Sequence, residues 1–147
     1  MRKEGERMRE WENEKKWQKS MKSEWGNMLK DNLLAELSIK FGVRVVRLYK
    51  YLAFELKEPV ISKQIYRSGT SIGANIAESK NAQSPADFLN KLNIALKEAN
   101  ETEYWLKLLL LSDYVKEEEY ESLQNDLNVI IGTLVKVIKK VKDNEQL

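Results

Sequence analysis

The chain has 147 residues, and its 25 Lys and Arg are nearly balanced by 23 Asp and Glu, giving a formal net charge of +2. It contains neither His nor Cys, which excludes disulfides, thiolate metal sites, thiol nucleophiles and every catalytic arrangement that needs an imidazole. With 42% apolar and 33% charged residues, the composition is that of a single globular domain. We therefore expect no catalytic residue, no bound metal and no cofactor, and we interpret the chain as a non-enzyme.

No part of the sequence predicts a membrane association. A membrane span requires roughly 18 apolar residues, and the longest apolar run, at residues 108–111, is four leucines. The charged N-terminus lacks the apolar stretch of a signal peptide. We expect a cytoplasmic protein with no membrane partner.

Residues 1–31 differ from the rest of the chain in their mixed charge, few aliphatic side chains and three of the four tryptophans. Trp17, Met21 and Trp25 recur on one helical face, followed by Met28, so this extension is predicted to be helical. The stripe either docks on the chain's own domain or a neighbouring subunit, or it binds a partner protein. Stacking of the tryptophans on single-stranded nucleic acid is disfavoured by the glutamates between them.

Residues 32–142 show the three- and four-residue spacing of long amphipathic helices. The first carries a heptad seam and is predicted to end before Pro59, because the residue preceding a proline avoids the α conformation. The second runs from about Val60 to Asn81. The seam positions of the two helices are Leu34, Leu37, Phe41, Val45, Leu48, Leu52 and Leu56, then Ile61, Ile65, Ser68, Ile72, Ile76 and Ser79.

The third helix is predicted to begin with Ser84 as its N-cap and Pro85 as its first residue. A short connection at residues 114–116 leads to the fourth. Their apolar stripes are Phe88, Leu92, Ala95, Ala99, Thr102, Leu106 and Leu109, then Leu123, Leu127, Ile130, Leu134, Val137 and Val141. Four long helices joined by short loops predict an all-α, antiparallel up-and-down four-helix bundle, with residues 143–147 as a tail.

The second helix is unusual because Gly69, Gly73 and Ala77 repeat every four residues, although glycine inside a helix costs about 1 kcal/mol relative to alanine. Such a small face lets another helix approach closely, and the spacing leaves open whether that helix belongs to the same chain or to another subunit. Polar residues of the second helix surround this face, and we expect polar residues of the third helix to lie opposite them. Those of the second helix are Arg67, Ser68, Thr70, Ser71, Asn75 and Glu78, and the residues of the third helix are Lys97, Glu98, Glu101 and Trp105.

Glu78, Glu98 and Glu101 have two interpretations. A cluster of carboxylates between two helices is able to hold Mg²⁺, whereas ion pairs with Arg67 and Lys97 explain the same residues without a metal, and we favour the ion pairs. The hydroxyls of the second helix are not expected to be nucleophiles, because no histidine is present to activate them.

The string QIYRSGTSIGANIAE at residues 64–78, together with Asp87-Phe88, Lys97-Glu98 and residues 101–106 of the third helix, closely resembles the 23S rRNA intervening-sequence proteins, a bacterial family also called S23 or four helix bundle proteins. The resemblance covers about residues 33–142 and implies a bundle that assembles as a homopentameric barrel. It also implies distant kinship to the accessory variability protein of diversity-generating retroelements, which binds a reverse transcriptase and its template RNA through a basic surface. Residues 1–30 extend beyond the usual start of the family, and the main domain is charge-neutral.

Lys40, Arg44, Arg47 and Tyr51 follow one outer face of the first main helix, with Lys50 beside them. These cations form either an ordinary solvated face or, when repeated around an oligomer, a surface that binds phosphates. They are the candidate nucleic-acid-binding residues.

Several apolar residues lie outside the seams, and one bundle core is not expected to bury all of them, which predicts a subunit interface. They are Val43, Val46, Ile131, Val135 and Ile138. The main functional hypothesis is a homo-oligomeric scaffold that binds RNA or DNA, as an accessory to a reverse transcriptase or another nucleic-acid enzyme. The alternative is a protein-interaction adaptor with no nucleic-acid role, which uses the tryptophan stripe and the barrel rim.

Overall fold

The computed structural model describes residues 3–20 and 33–145, and these residues form five α-helices and no strand. The helices are α1 (Glu4–Ser20), α2 (Leu33–Lys50), α3 (Val60–Ser79), α4 (Pro85–Leu111) and α5 (Glu117–Glu145). The helical class predicted from the spacing is confirmed. The last helix also includes residues 143–145, which the domain prediction gave to a tail. None of the described helices is both long and apolar enough to cross a membrane.

The connection from α2 to α3 departs from the predicted straight helix. After α2 the backbone widens into a π-helical turn, Tyr51–Glu55, in which the Leu56 amide donates to the Tyr51 carbonyl at 3.0 Å. The wider turn shifts the residues that follow it off the core seam. Leu52 is fully buried, but Leu56 is 37% exposed, so its predicted place on the seam is wrong. Lys57 then adopts a left-handed φ of 58°.

Polar side chains satisfy the first amides of α3 and α4. The buried carboxylate of Glu58 accepts hydrogen bonds from three successive amides at the start of α3, over 2.8 to 3.1 Å. Ser84 Oγ accepts from the Asp87 amide at 3.0 Å, and Pro85 is the first residue of α4. Helix N-termini leave amides without intrahelical partners, and these caps supply them. The predicted start of the third main helix is confirmed.

The packing of the helices is compatible with a helical bundle. Each of α2, α3 and α4 packs against the next helix, and α2 also packs against α5. The side chains between them form one continuous core. Its largest fully buried members are Phe41, Phe88, Leu34, Leu52, Ile65, Ile72, Ile76, Leu92, Leu106, Leu109, Leu127 and Ile130. All of these are seam residues predicted from the spacing.

The apolar residues outside the seams divide into two groups. Ile138 is 6% exposed and belongs to the core, and Ile131 is half-buried against it. Both are covered because α5 packs between α2 and α4. Val43 and Val135 are about half exposed, at 44% and 47%, and Val46 is half-buried. The expectation of a subunit interface therefore depends on α2 and on Val135, and no longer on Ile138.

The described side chains of α1 are all exposed, including those of Met8 and Trp11. Lys15 Nζ lies 3.9 Å from the centroid of the Trp11 ring, which is a cation–π contact. The predicted stripe of Trp17, Met21 and Trp25 falls on side chains outside the described residues, and its docking stays a prediction.

Candidate functional site

The small face of α3 packs on α2 of the same chain. A Cβ added to Gly69 would lie 2.8 Å from a methyl carbon of Val45, closer than Cβ atoms approach their neighbours, whereas a Cβ on Gly73 would lie 3.3 Å from Ser38 Oγ. Ala77, the third member of the repeat, is exposed. The close approach indicated by the glycine spacing is therefore a contact between two helices of one chain.

A buried hydroxyl pair joins α3 to α4. Thr102 Oγ1 lies 2.9 Å from Ser68 Oγ and 2.7 Å from the Glu98 carbonyl oxygen, and both hydroxyl residues are fully buried. Buried polar groups are stable in a core when hydrogen bonds satisfy them. Another buried hydroxyl, that of Ser62, has no partner among the described residues. The pair has the properties of a structural contact between helices.

Arg67 holds two carboxylates of α4 at the surface of the bundle. Its guanidinium donates to Glu101 Oε1 at 2.6 Å and lies 3.4 Å from Glu98 Oε2, and the Trp105 indole donates to the same Glu101 oxygen at 3.1 Å. The hydrogen bonds from Arg67 and then from Trp105 lower the pKa of Glu101, and the hydrogen bond to Glu101 raises the pKa of Arg67. Both partners stay charged, and the group ties α3 to α4.

Glu78 lies apart from the other two glutamates, so the three carboxylates do not form the cluster considered from the sequence. Because α3 and α4 run antiparallel, Glu78 faces the first turns of α4, where Lys91 Nζ lies 2.8 Å from its Oε2. The expected partner Lys97 is exposed and makes no ion pair in the described part of the chain, although its charge helps to lower the pKa of Glu101. Within the same residues, no three acidic side chains are grouped in a way that holds a metal ion.

The other polar residues of the α3 motif bond to their own helix. Ser71 Oγ donates to the Arg67 carbonyl at 2.6 Å, and Asn75 Nδ2 donates to the Ser71 carbonyl at 2.8 Å. Thr70 Oγ1 donates to the Tyr66 carbonyl at 2.7 Å. The helix backbone thus provides partners for these polar groups, and the close packing of α3 on α2 explains Gly69 and Gly73.

Most cations of the predicted stripe on α2 have no acidic partner among the described residues. Lys40, Arg47 and Lys50 are exposed, as is Tyr51, and none of the three cations makes an ion pair with a described residue. Exposed cations without acidic partners are available to bind phosphate groups. We call Lys40, Arg47 and Lys50 the α2 cation surface.

Arg44, which the sequence placed on the same stripe, differs from these three cations because it has an acidic partner. Its Nη1 lies 2.6 Å from Asp126 Oδ2 on α5, so a neighbouring carboxylate already balances its charge. The pair joins the first and last helices of the main domain.

An open groove of about 490 Å³ lies between α2 and α3 beside the α2 cation surface. Arg47 and Lys50 contribute to its lining. The rest is mostly apolar or small and includes Ile39, Val43, Val46, Thr70, Gly73 and Ala74. Ile39 is 65% exposed. This combination of cations and apolar surface is suited to a ligand that has both anionic and apolar parts.

An aromatic cluster that the sequence did not predict lies where α2 and α3 meet. Tyr49 of α2 and Tyr66 of α3 have ring centroids 4.8 Å apart, and Phe54 in the π-helical turn packs edge-on against Tyr49 at 6.2 Å. Phe54 is 64% exposed and Tyr66 is 41% exposed. The signal available in the sequence was the presence of Tyr49, Tyr51 and Phe54 shortly before Pro59 and of Tyr66 after it. The cluster itself forms only when the two helices pack together.

The protein is therefore of the all-helical class. The motif in α3 serves mainly to pack this helix against its neighbours. The model of the 23S rRNA-intervening sequence protein family matches residues 30–136, and the chain belongs to this family, as the resemblance indicated. It is similar to a crystal structure, at 1.70 Å resolution, described as a protein with unknown function from the S23 ribosomal protein family of Bacteroides thetaiotaomicron VPI-5482. The two are 61% identical with a TM-score of 0.73, over 75% of this chain and 98% of the other. Among curated proteins, none matches this chain significantly.

Proposed function

We propose that this protein is a non-enzymatic, homo-oligomeric helical scaffold that binds nucleic acid through the α2 cation surface. The observation that supports this function most directly is that Lys40, Arg47 and Lys50 are exposed and lack an acidic partner among the described residues. Arg47 and Lys50 also line an open groove. Such cations gain affinity for nucleic acid by displacing counterions from its phosphates. Because the net charge is only +2, binding depends on how charges are distributed between faces.

The proposed assembly is an antiparallel up-and-down bundle repeated in a homopentameric barrel, as the family resemblance implies. Exposed apolar residues of α5 outside the groove, Val129 and Val135, support contacts between copies. When a patch on one copy meets a different patch on the next, the head-to-tail contacts close into a ring if the angle between successive copies permits it. A ring repeats the α2 cation surface in each copy, and phosphate contacts add up across the assembly.

A charge-reversal variant tests the nucleic-acid proposal. Lys40→Glu combined with Arg47→Glu is expected to weaken the binding of labelled RNA about tenfold or more at low salt, because phosphate contacts dominate such affinities. Fluorescence anisotropy measures the binding, and light scattering checks that the oligomer mass is unchanged. Arg44 is left in place, because its replacement would break the pair with Asp126.

The matched control is Lys136→Glu combined with Lys139→Glu, which makes the same change of charge on exposed positions of α5. This variant is expected to bind RNA nearly as well as the parent protein. An α2 variant that retains full affinity would contradict the proposed site. Equal losses in both variants would show that net charge alone matters.

A reverse transcriptase or another nucleic-acid enzyme is the proposed protein partner, since the kinship to the retroelement accessory protein implies one. The second candidate function is a protein-interaction adaptor without a nucleic-acid role. The exposed Met8 and Trp11 side chains of α1 favour it, because exposed aromatic surface often marks a site of protein contact. An oligomer that binds no RNA at any salt concentration would support the adaptor.

A further inference from the structure

We infer that the aromatic cluster of Tyr49, Phe54 and Tyr66 is a base-stacking surface, so that the nucleic acid bound by this protein is single-stranded. The inference rests on the proposed function and extends it from phosphate binding to the recognition of unpaired bases. It thus assigns unpaired bases as the ligand of three aromatic residues that are not part of the α2 cation surface.

The exposure of the rings is the first observation. Tyr49 and Tyr66 bridge α2 and α3 with centroids 4.8 Å apart, and Phe54 adds an edge contact at 6.2 Å. Aromatic side chains are usually buried in cores or interfaces, yet Phe54 is 64% exposed and Tyr66 is 41% exposed. The π-helical turn Tyr51–Glu55 carries Phe54, and such turns occur frequently at functional sites. The cluster thus presents ring surface to a ligand.

The charge around the rings is the second observation. Lys50, Lys57 and Lys63 lie next to the cluster residues or one turn from them in sequence, are exposed, and make no ion pair in the described part of the chain. Of the two acidic residues between positions 49 and 66, Glu58 is 8% exposed and directs its carboxylate to the amides of α3. Glu55 is therefore the one exposed acid there. The surroundings favour an anionic ligand.

The groove between α2 and α3 is lined by Arg47 and Lys50 of the α2 cation surface and by sequence neighbours of the cluster residues. Lys50 lines the groove and follows Tyr49 directly, and Thr70 lines it one helical turn after Tyr66. Proteins that bind single strands combine a cationic groove along the backbone with aromatic rings on which successive bases stack. In a duplex the base faces are already stacked on each other. Phosphates along the groove and unpaired bases on the rings therefore fit a single strand.

The test compares a labelled single strand of about 16 nucleotides with a duplex of the same sequence, each bound to the full chain and followed by anisotropy. Phe54→Ala and Tyr66→Ala are each expected to weaken single-strand binding by about 5- to 100-fold and to leave duplex binding unchanged. Phe54→Trp is expected to retain binding, whereas Phe54→Leu, which is apolar without an aromatic face, is expected to lose it. Tyr104→Ala, at an exposed aromatic residue of α4, is the matched control.

Each contrary outcome points to a different cause. If duplex and single strand bind equally and Phe54→Leu is harmless, while charge reversal at Lys40 and Arg47 weakens both, the stacking surface is refuted and the proposed function stands. If neither nucleic acid binds the parent protein, the proposed function fails as well. If Phe54→Ala reduces the oligomer mass measured by light scattering, the cluster is a contact between subunits and the inference is overturned.

Discussion

Gly69 and Gly132 both lie inside helices, but only Gly69 has a close neighbour. A Cβ at position 69 would lie 2.8 Å from a Val45 methyl carbon, whereas a Cβ at position 132 meets no atom within 4 Å. Alanine is favoured over glycine in a helix by about 1 kcal/mol, and this gain is realised only where the added methyl group fits. The fold therefore requires glycine at position 69 but has room for a larger side chain at position 132.

Gly132→Ala is expected to raise the free energy of unfolding by about 0.5 to 1 kcal/mol. Gly69→Ala is expected to lower it by about 1 to 3 kcal/mol, because an overpacked contact forces α2 and α3 apart. Urea unfolding at one fixed protein concentration measures both, since the stability of an oligomer depends on concentration. Stabilisation by Gly69→Ala would show that α2 and α3 are less closely packed than the 2.8 Å contact indicates.

Thr102→Val is expected to destabilise the protein by about 1 to 3 kcal/mol, because it leaves the buried Ser68 hydroxyl with only a weak contact, 3.5 Å from the Ile65 carbonyl. Adding Ser68→Ala removes the stranded hydroxyl, so the double variant is expected to lose less than the sum of the single changes. A double-mutant cycle in urea measures this coupling. Strict additivity would contradict a hydrogen bond between the two side chains.

At the scale of the elements, the sequence predicts helix ends where local chemistry defines them. Ser84 and Pro85 begin α4 as expected, because an N-cap and a first-turn proline act through adjacent residues. The π-helical turn Tyr51–Glu55 was not predicted. The heptad pattern continues through it to Leu56, and no residue type marks the extra width of the turn. The predicted seam of the first main helix is therefore correct up to Leu52 and wrong at Leu56.

The Arg67–Glu101 pair makes the contact between α3 and α4 sensitive to acid. The pKa of Glu101 lies below its ordinary value of 4.5 in the fold, so the carboxylate stabilises the protein above that value. This contribution is lost as the pH falls through the lower, folded-state pKa. The parent protein is expected to be more stable than Glu101→Gln at neutral pH, by less than about 1 kcal/mol for a partly exposed pair.

The difference between these two proteins is expected to shrink on acidification and to vanish once Glu101 is protonated in the fold. Thermal unfolding of both proteins across the acid range measures it. A difference that stays constant with pH would show that the charge of Glu101 does not stabilise the fold.

At the scale of the whole molecule, the sequence predicted which face carries cations but not which cations are free. Lys40 and Arg47 share a face because of helical spacing alone, whereas Arg44 pairs with Asp126, which lies 82 positions away in the chain. Tyr49 and Tyr66 likewise meet only because α2 packs on α3. Spacing within one helix defines a face, but partners from other helices depend on packing that periodicity does not specify.

The most direct test of a nucleic-acid-binding scaffold is size-exclusion chromatography with light scattering on the full chain from fresh lysate. The absorbance ratio at 260 and 280 nm is recorded across the peak at about 50 mM and about 200 mM salt. We expect an oligomer, with a mass near five times the 17.2 kDa chain, that carries nucleic acid at the lower salt concentration and releases it at the higher one. A monomer, or an oligomer free of nucleic acid at both concentrations, would contradict the account.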